Sequence, residues 1–160
     1  MYKTISEAKQ LVSEVIRDLA GDDQVEVVFC PPFTALSAVR ELLQDTPYKL
    51  AAQNLHWKAE GAYTGEIAPQ MLKEIGCDYV IIGHSERREY FGETDETVNL
   101  KAKAALANGI KPIICVGETL PQREAGETAG LIKRQTEGAL AGLDKASIPD
   151  VVIAYEPIWA

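Results

Sequence analysis

No apolar run in this sequence approaches the roughly 18 residues that a membrane-spanning helix needs. Nor does a secretory apolar segment stand near Met1. Cysteine is sparse: Cys30, Cys77 and Cys115 are odd in number, far apart and without a C-x-x-C pair, so free thiols in a reducing cytosol are expected rather than disulfides or a metal site. Positive charge is short, with 16 Lys and Arg against 24 Asp and Glu and a net charge of −8. That balance excludes a general nucleic-acid binder, which needs a basic face, but leaves room for a small anionic ligand held by local groups. The chain has no G-x-G-x-x-G, no P-loop and no G-x-S-x-G, so no cofactor is expected. It also lacks a Pro/Ser-rich linker, a low-complexity segment and a residue-level repeat, which predicts a single domain over residues 1–160.

What is present is enough to build a core: 46% of residues are hydrophobic and 25% charged. The first signal is helical. Thr4 and Glu7 form a T-x-x-E capping box, Ile5, Ala8, Leu11, Val12, Val15, Ile16 and Leu19 recur at helical spacing, and Gly21 ends the run. Short apolar strands then alternate with helical segments. The strands are expected at VEVVFC (25–30), KLAAQN (49–54), DYVIIGH (78–84), KPIICVGE (111–118) and DVVIAYE (150–156). Helices are expected in PPFTALSAVRELLQ, PQMLKEIG, DETVNLKAKAALANG and AGLIKRQTEGALAGL, with SERR as the first turn of a further short one. Strands joined through helices predict a parallel α/β sheet. The stretch LHWKAEGAYTGEIA, between the second strand and PQMLKEIG, has no clear period and is long for a connection, so it is a candidate for function.

Parallel strands all end on one rim, where ligands of α/β folds bind. The tip residues are Cys30, Asn54, His84, Glu118 and Glu156. A histidine and two carboxylates there form a possible acid–base set. For His84 two readings stand: a strand cap bonded to its neighbours, or an imidazole kept uncharged by the positive end of the SERR helix and able to donate one hydrogen bond. For Glu156, a strand-end carboxylate facing water competes with one made more basic by the apolar surroundings of YEPIW. Glu118 is expected to be structural, capping or pairing with an arginine. Glu86, Arg87 and Arg88 suggest a local ion-pair network, His56 a loop contact, Cys115 a buried small hydrophobe and Met71 plain packing.

The stretches CPPFTAL (30–36), AAQNLHWKAEGAYTGE (51–66), VIIGHSERREYFGETDE (80–96), PIICVGET (112–119) and AYEPIWA (154–160) closely resemble the triosephosphate isomerase family, in its order and at its usual separations. The resemblance covers essentially the whole chain, and GHSERR and YEPIWA are highly specific to the family. It implies an eight-stranded (β/α) barrel, of which this chain supplies helix one through strand six. It implies that Glu156 is the catalytic base, His84 the electrophile and Glu86 a supporting glutamate. The implied reaction interconverts dihydroxyacetone phosphate and glyceraldehyde 3-phosphate. The GAYTGE loop, with Thr64 at its tip, resembles the family loop that reaches into a neighbouring subunit, which implies a homodimer.

Further expectations follow from the resemblance. The domain is expected to be cut at both ends, without the family's substrate-holding lysine and asparagine, its lid and its phosphate-binding loops. The 160 residues alone are then expected to be inactive and poorly soluble or molten, because a barrel lacking three strands cannot close. Two other readings stay open: a different phosphate-handling barrel enzyme, and a stand-alone non-enzymatic α/β binding module.

Overall fold

The computed structural model describes residues 2–19 and 24–159. Gly21, expected to end the first helix, lies outside the described residues, as do Met1 and Ala160. Helix α1 runs from Ile5 to Asp18 and starts at the expected box: Thr4 accepts from the Glu7 N–H while the Glu7 carboxylate takes the Thr4 N–H. Five strands follow, β1 (Val28–Phe29), β2 (Lys49–Ala52), β3 (Tyr79–Ile82), β4 (Lys111–Val116) and β5 (Val152–Tyr155). They form one parallel sheet in the order β1-β2-β3-β4-β5, so each strand pairs with its neighbour in sequence.

The connections are helical, as each parallel crossover requires. Phe33–Ala35 forms a 3-10 turn that leads into α2 (Leu36–Leu43), and α3 (Pro69–Ile75) follows β2 after the long loop. Two helices follow β3, α4 (Ser85–Phe91) and α5 (Asp95–Ala107). After β4 come α6 (Leu120–Glu124) and α7 (Thr128–Leu140). The polar segment TLPQREAGE therefore contains a short helix that its composition hid, capped by Thr119 and Gln122. Residues Lys145–Asp150 add a second 3-10 segment before β5.

Strand β1 spans two residues where six were expected, because only Val28 and Phe29 find ladder partners, Lys49 and Leu50. The core lies between the sheet and its helices: Leu36, Val39, Leu50, Leu72, Val80, Ile82, Val98 and Ile114 are fully buried. α5 and α7 pack on β4, and alternate residues Ile114 and Val116 join the core. The outer elements are less covered. α1 buries Ala8 and Val12 but leaves Ile5 and Leu11 about half exposed, and β5 exposes Val152, Ile153 and Tyr155.

Central β4 should therefore carry more stability than the outer surface. Ile114→Ala is expected to lower unfolding free energy by about 2–5 kcal/mol, from lost transfer energy plus a cavity. Leu100→Ala, on the exposed side of α5, should change it by no more than about 0.5 kcal/mol. Urea unfolding of both variants checks this.

Candidate functional site

The turn from β3 into α4 carries the first functional side chain. The β3–β4 ladder ends at Ile82 opposite Ile114, and Gly83 then turns left-handed at φ +69°. A side chain at Gly83 would be strained in that conformation, and its Cβ would lie 2.9 Å from Val98. Beyond the turn, His84 is the N-cap of α4, and its Nδ1 accepts the Glu86 N–H at 3.3 Å. Histidine replaces the usual Ser, Thr or Asp in satisfying an orphan donor of the first turn. An accepting Nδ1 carries no proton, so the singly protonated ring carries it on Nε2. That nitrogen lies 3.2 Å from Oε1 of Glu156.

Glu156 arrives from the end of β5. Its N–H donates to Val116 O at 2.7 Å, continuing the β4–β5 pairing past Tyr155. Its carboxylate accepts from Ser85, through the hydroxyl at 3.0 Å and the backbone N–H at 3.4 Å. The strand tips thus bring together two residues far apart in the chain, each with about a third of its side chain exposed. A cavity of about 490 Å³ opens on the His84 side, lined among others by Asn54, Ile81, Glu86, Arg87 and Phe91. An imidazole N–H beside a carboxylate at the edge of a cavity can move protons on a bound molecule.

Glycine at 117 makes the close approach of β5 possible. A Cβ there would lie 1.7 Å from the carbonyl oxygen of Glu156. Gln135 of α7 brackets the same glycine, accepting its N–H at 2.9 Å and donating to its carbonyl at 3.4 Å. Beside it, Glu118 is wholly buried and accepts from Tyr155 at 2.9 Å and Trp159 at 3.2 Å, with Arg123 at 3.4 Å. Burial opposes its ionisation, yet the donations from Trp159 and Tyr155 outweigh that and hold its carboxyl below the usual range. The arginine pairing expected for Glu118 is present.

The other sequence candidates separate. Glu86 is largely exposed, with Oε2 3.8 Å from His84 Nδ1. The local network expected among Glu86, Arg87 and Arg88 is replaced by longer reaches: Arg87 pairs with Glu93, and Arg88 pairs with Asp95 at 2.7 Å. Thr64 is exposed in the turn closed by the Glu66 N–H to Tyr63 O, at the tip of the long loop. His56 is a buried loop contact, stacked on Trp57 with ring centroids 4.2 Å apart and packed against Tyr63. Cys115 is buried, and burial pushes its thiol up to about 11, with the Glu156 charge adding to the shift. Among the described residues, no group of three or more His, Cys, Asp or Glu is placed to hold a metal ion, and no helix is long and apolar enough to cross a membrane.

Composition did not point to Glu93 and Lys101. Glu93 is buried, and Arg87 and Lys101 both bond to it. Burial pushes the Glu93 carboxyl up, but Lys101 and Arg87 prevail and hold it below its usual value. Burial pulls the Lys101 ammonium below its usual value, against the attraction of Glu93. Lys101 also donates to the Asn54 side chain at 2.7 Å, joining the tip of β2 to this cluster. One signal was available: Lys101 falls on the buried stripe of α5 with Val98, Ala102 and Ala105, and a charge there needs a buried partner.

Comparison with known proteins gives a consistent picture. A family model described as Triosephosphate isomerase matches residues 1–160. Curated proteins named triosephosphate isomerase from Alkaliphilus metalliredigens and Herpetosiphon aurantiacus are 56% and 54% identical over the whole chain. The chain spans 64% of the length of each. The crystal structure of triosephosphate isomerase from Bartonella henselae superposes with a TM-score of 0.90 at 38% identity, over all of this chain and 65% of that one.

Two outcomes are expected from this geometry. Gly117→Ala should cost about 1–3 kcal/mol or more, since the added methyl must push the Glu156 backbone aside; urea unfolding measures it. Glu93→Gln should cost about 3–5 kcal/mol by leaving buried cations unpaired. It should also flatten the acid limb. The Glu93 carboxyl is depressed in the folded state, so its stabilisation is complete above the ordinary value of 4.5 and fades as pH falls through the folded value. As pH falls below about 4.5 the parent chain should lose more stability than the Gln variant.

Proposed function

Because the chain belongs to the triosephosphate isomerase family, with the incomplete (β/α) barrel fold that goes with it, we propose that the whole protein interconverts dihydroxyacetone phosphate and D-glyceraldehyde 3-phosphate. The observation that carries the proposal is the 3.2 Å approach of His84 Nε2 to the Glu156 carboxylate at the ends of β3 and β5. In this reading Glu156 is the base. It leaves Ser85, takes a proton from the carbon next to the substrate carbonyl, and returns it to the neighbouring carbon. The electrons of the broken C–H bond pass into an enediolate.

His84 is the electrophile. Its Nε2–H donates to the carbonyl oxygen as charge builds there, and the ring then moves protons between the two enediol oxygens. A carboxylate base working with a neutral imidazole at a helix N-terminus is the known division of roles in triosephosphate isomerase, carried over here to Glu156 and His84. The hydrogen bond from the Glu86 N–H to Nδ1 supports that tautomer. Glu86 is a supporting residue that lines the same cavity. Among the described residues, Arg87 and Lys101 are taken by Glu93 and Arg88 by Asp95. None of these three cations is free to hold the phosphate.

A homodimer with Thr64 at the subunit contact is part of the same proposal. Its support is an exposed loop tip whose base is closed by the His56 N–H to Ile67 O at 2.9 Å. A cytoplasmic location is supported by three free cysteines, of which Cys77 and Cys115 are buried. The binding-module alternative has no observation in its favour.

The test is isomerase activity in two polypeptides: these 160 residues, and the same residues extended to the length of the curated relatives. The extended form should turn over triose phosphate and the short one should not. In the extended form Glu156→Asp and His84→Gln should each slow turnover by about 10²–10⁴-fold. A folded but inert extended form would reject the proposal.

A further inference from the structure

The β-ladder stops two residues before the proposed electrophile, with Gly83 between. Ile82 is the last β3 residue paired with β4, so the peptide groups of Gly83 have no strand partner to orient them. Two side chains take over. Oε2 of Glu93 accepts the Gly83 N–H at 3.3 Å, and Nε of Arg88 donates to the Gly83 carbonyl at 2.9 Å. Both are anchored elsewhere: Glu93 by Arg87 and Lys101, and Arg88 by Asp95. Lys101 and Asp95 sit on α5, a 13-residue helix fixed at its start by a Thr94–Thr97 capping box.

Glycine is the residue most able to leave a left-handed conformation, so its φ of +69° depends on what holds its peptides. That angle sets where His84 starts and whether its ring reaches both the Glu86 N–H and Glu156. We propose that Glu93 is a positioning residue for His84, acting through the Gly83 amide rather than through any contact with substrate. The proposal rests on reading His84 as the electrophile, and it extends that reading to a buried carboxylate on the far side of the turn. Glu93 also connects the tips of β2 and β3, since Lys101 bonds both Glu93 and Asn54. A disturbance at the cluster therefore reaches the wall of the cavity as well as the imidazole.

The sequence makes the test clean, because its two histidines, His56 and His84, give two ring systems to observe. In the chain extended to the length of its curated relatives and labelled with ¹⁵N-histidine, with the two rings assigned by His56→Gln and His84→Gln variants, the His84 ring should show an unprotonated Nδ1 and a protonated Nε2. Glu93→Gln should collapse that separation toward a mixture of tautomers while the His56 signals stay in place. Glu93→Asp keeps the charge opposite Arg87 and Lys101 but draws the carboxylate away from Gly83. It is expected to fold better than the Gln variant and still to shift His84. Leu72→Ala, a core cavity remote from the turn, is the control for general loosening and should leave the His84 signals unchanged. The proposal is overturned if His84 is unmoved in both Glu93 variants, or if His56 and His84 move together in both. Turnover is not part of the readout, so failure here is distinct from failure of the isomerase assignment.

Discussion

The hydrogen bond from the Glu86 amide to Nδ1 of His84 is the contact on which the site depends. It closes the first turn of α4, and in doing so it assigns the imidazole proton to the nitrogen that faces Glu156. A serine or aspartate would cap the helix as well, but would offer no second nitrogen across the rim. One side chain thus both caps the helix and faces Glu156 across the rim. The same turn supplies Ser85, whose hydroxyl and amide hold the Glu156 carboxylate, so β5 is tied to β3 through side chains although β4 lies between them.

Around this turn the protein keeps charge in places where apolar packing would be simpler. Glu93 and Lys101 are both nearly excluded from water. An ion pair of this kind contributes little net stability relative to a packed hydrophobic pair, but its loss on one side is costly. Its value here is directional: the carboxylate presents one oxygen to Arg87 and Lys101 and the other to the Gly83 amide. On the opposite flank, Glu118 gathers Tyr155, Trp159 and Arg123, and the guanidinium of Arg123 lies 4.5 Å from the Trp159 ring centroid. Both flanks of the His84–Glu156 pair therefore rest on buried carboxylates, Glu93 with donors on both oxygens and Glu118 with its donors gathered on Oε1.

Much of the architecture was legible in the pattern of residues, because parallel α/β units write their period plainly. Apolar runs such as YVII and KPIICV mark largely buried strands, and the Thr4–Glu7 box marks a helix start. The strand tips could be read as one rim, and His84 and Glu156 were both named from it. The shortness of β1 was not legible, since Val25 to Val27 have the residue types of a strand although the strand proper begins only at Val28. The short helix α6 was hidden by polar composition. Glu93 and Lys101 were missed for a physical reason: a buried ion pair looks like two surface charges until the helix stripe is traced, and its partners come from α4 and the loop before α5. Gly117 is a similar case, since its necessity arises from a carbonyl 39 residues later in the chain.

The central claim is that Glu156 carries a proton to and from carbon. Its most direct test is deuterium incorporation in D₂O, with the chain extended to the length of its curated relatives and dihydroxyacetone phosphate as substrate. A carboxylate that takes one proton from carbon and exchanges it with solvent should leave deuterium on the single carbon bonded to both the aldehyde and the hydroxyl of the product, and Glu156→Gln should abolish incorporation without unfolding the protein. Incorporation that continues at the parent rate in a folded Glu156→Gln variant would contradict the account, because the base would then be another group.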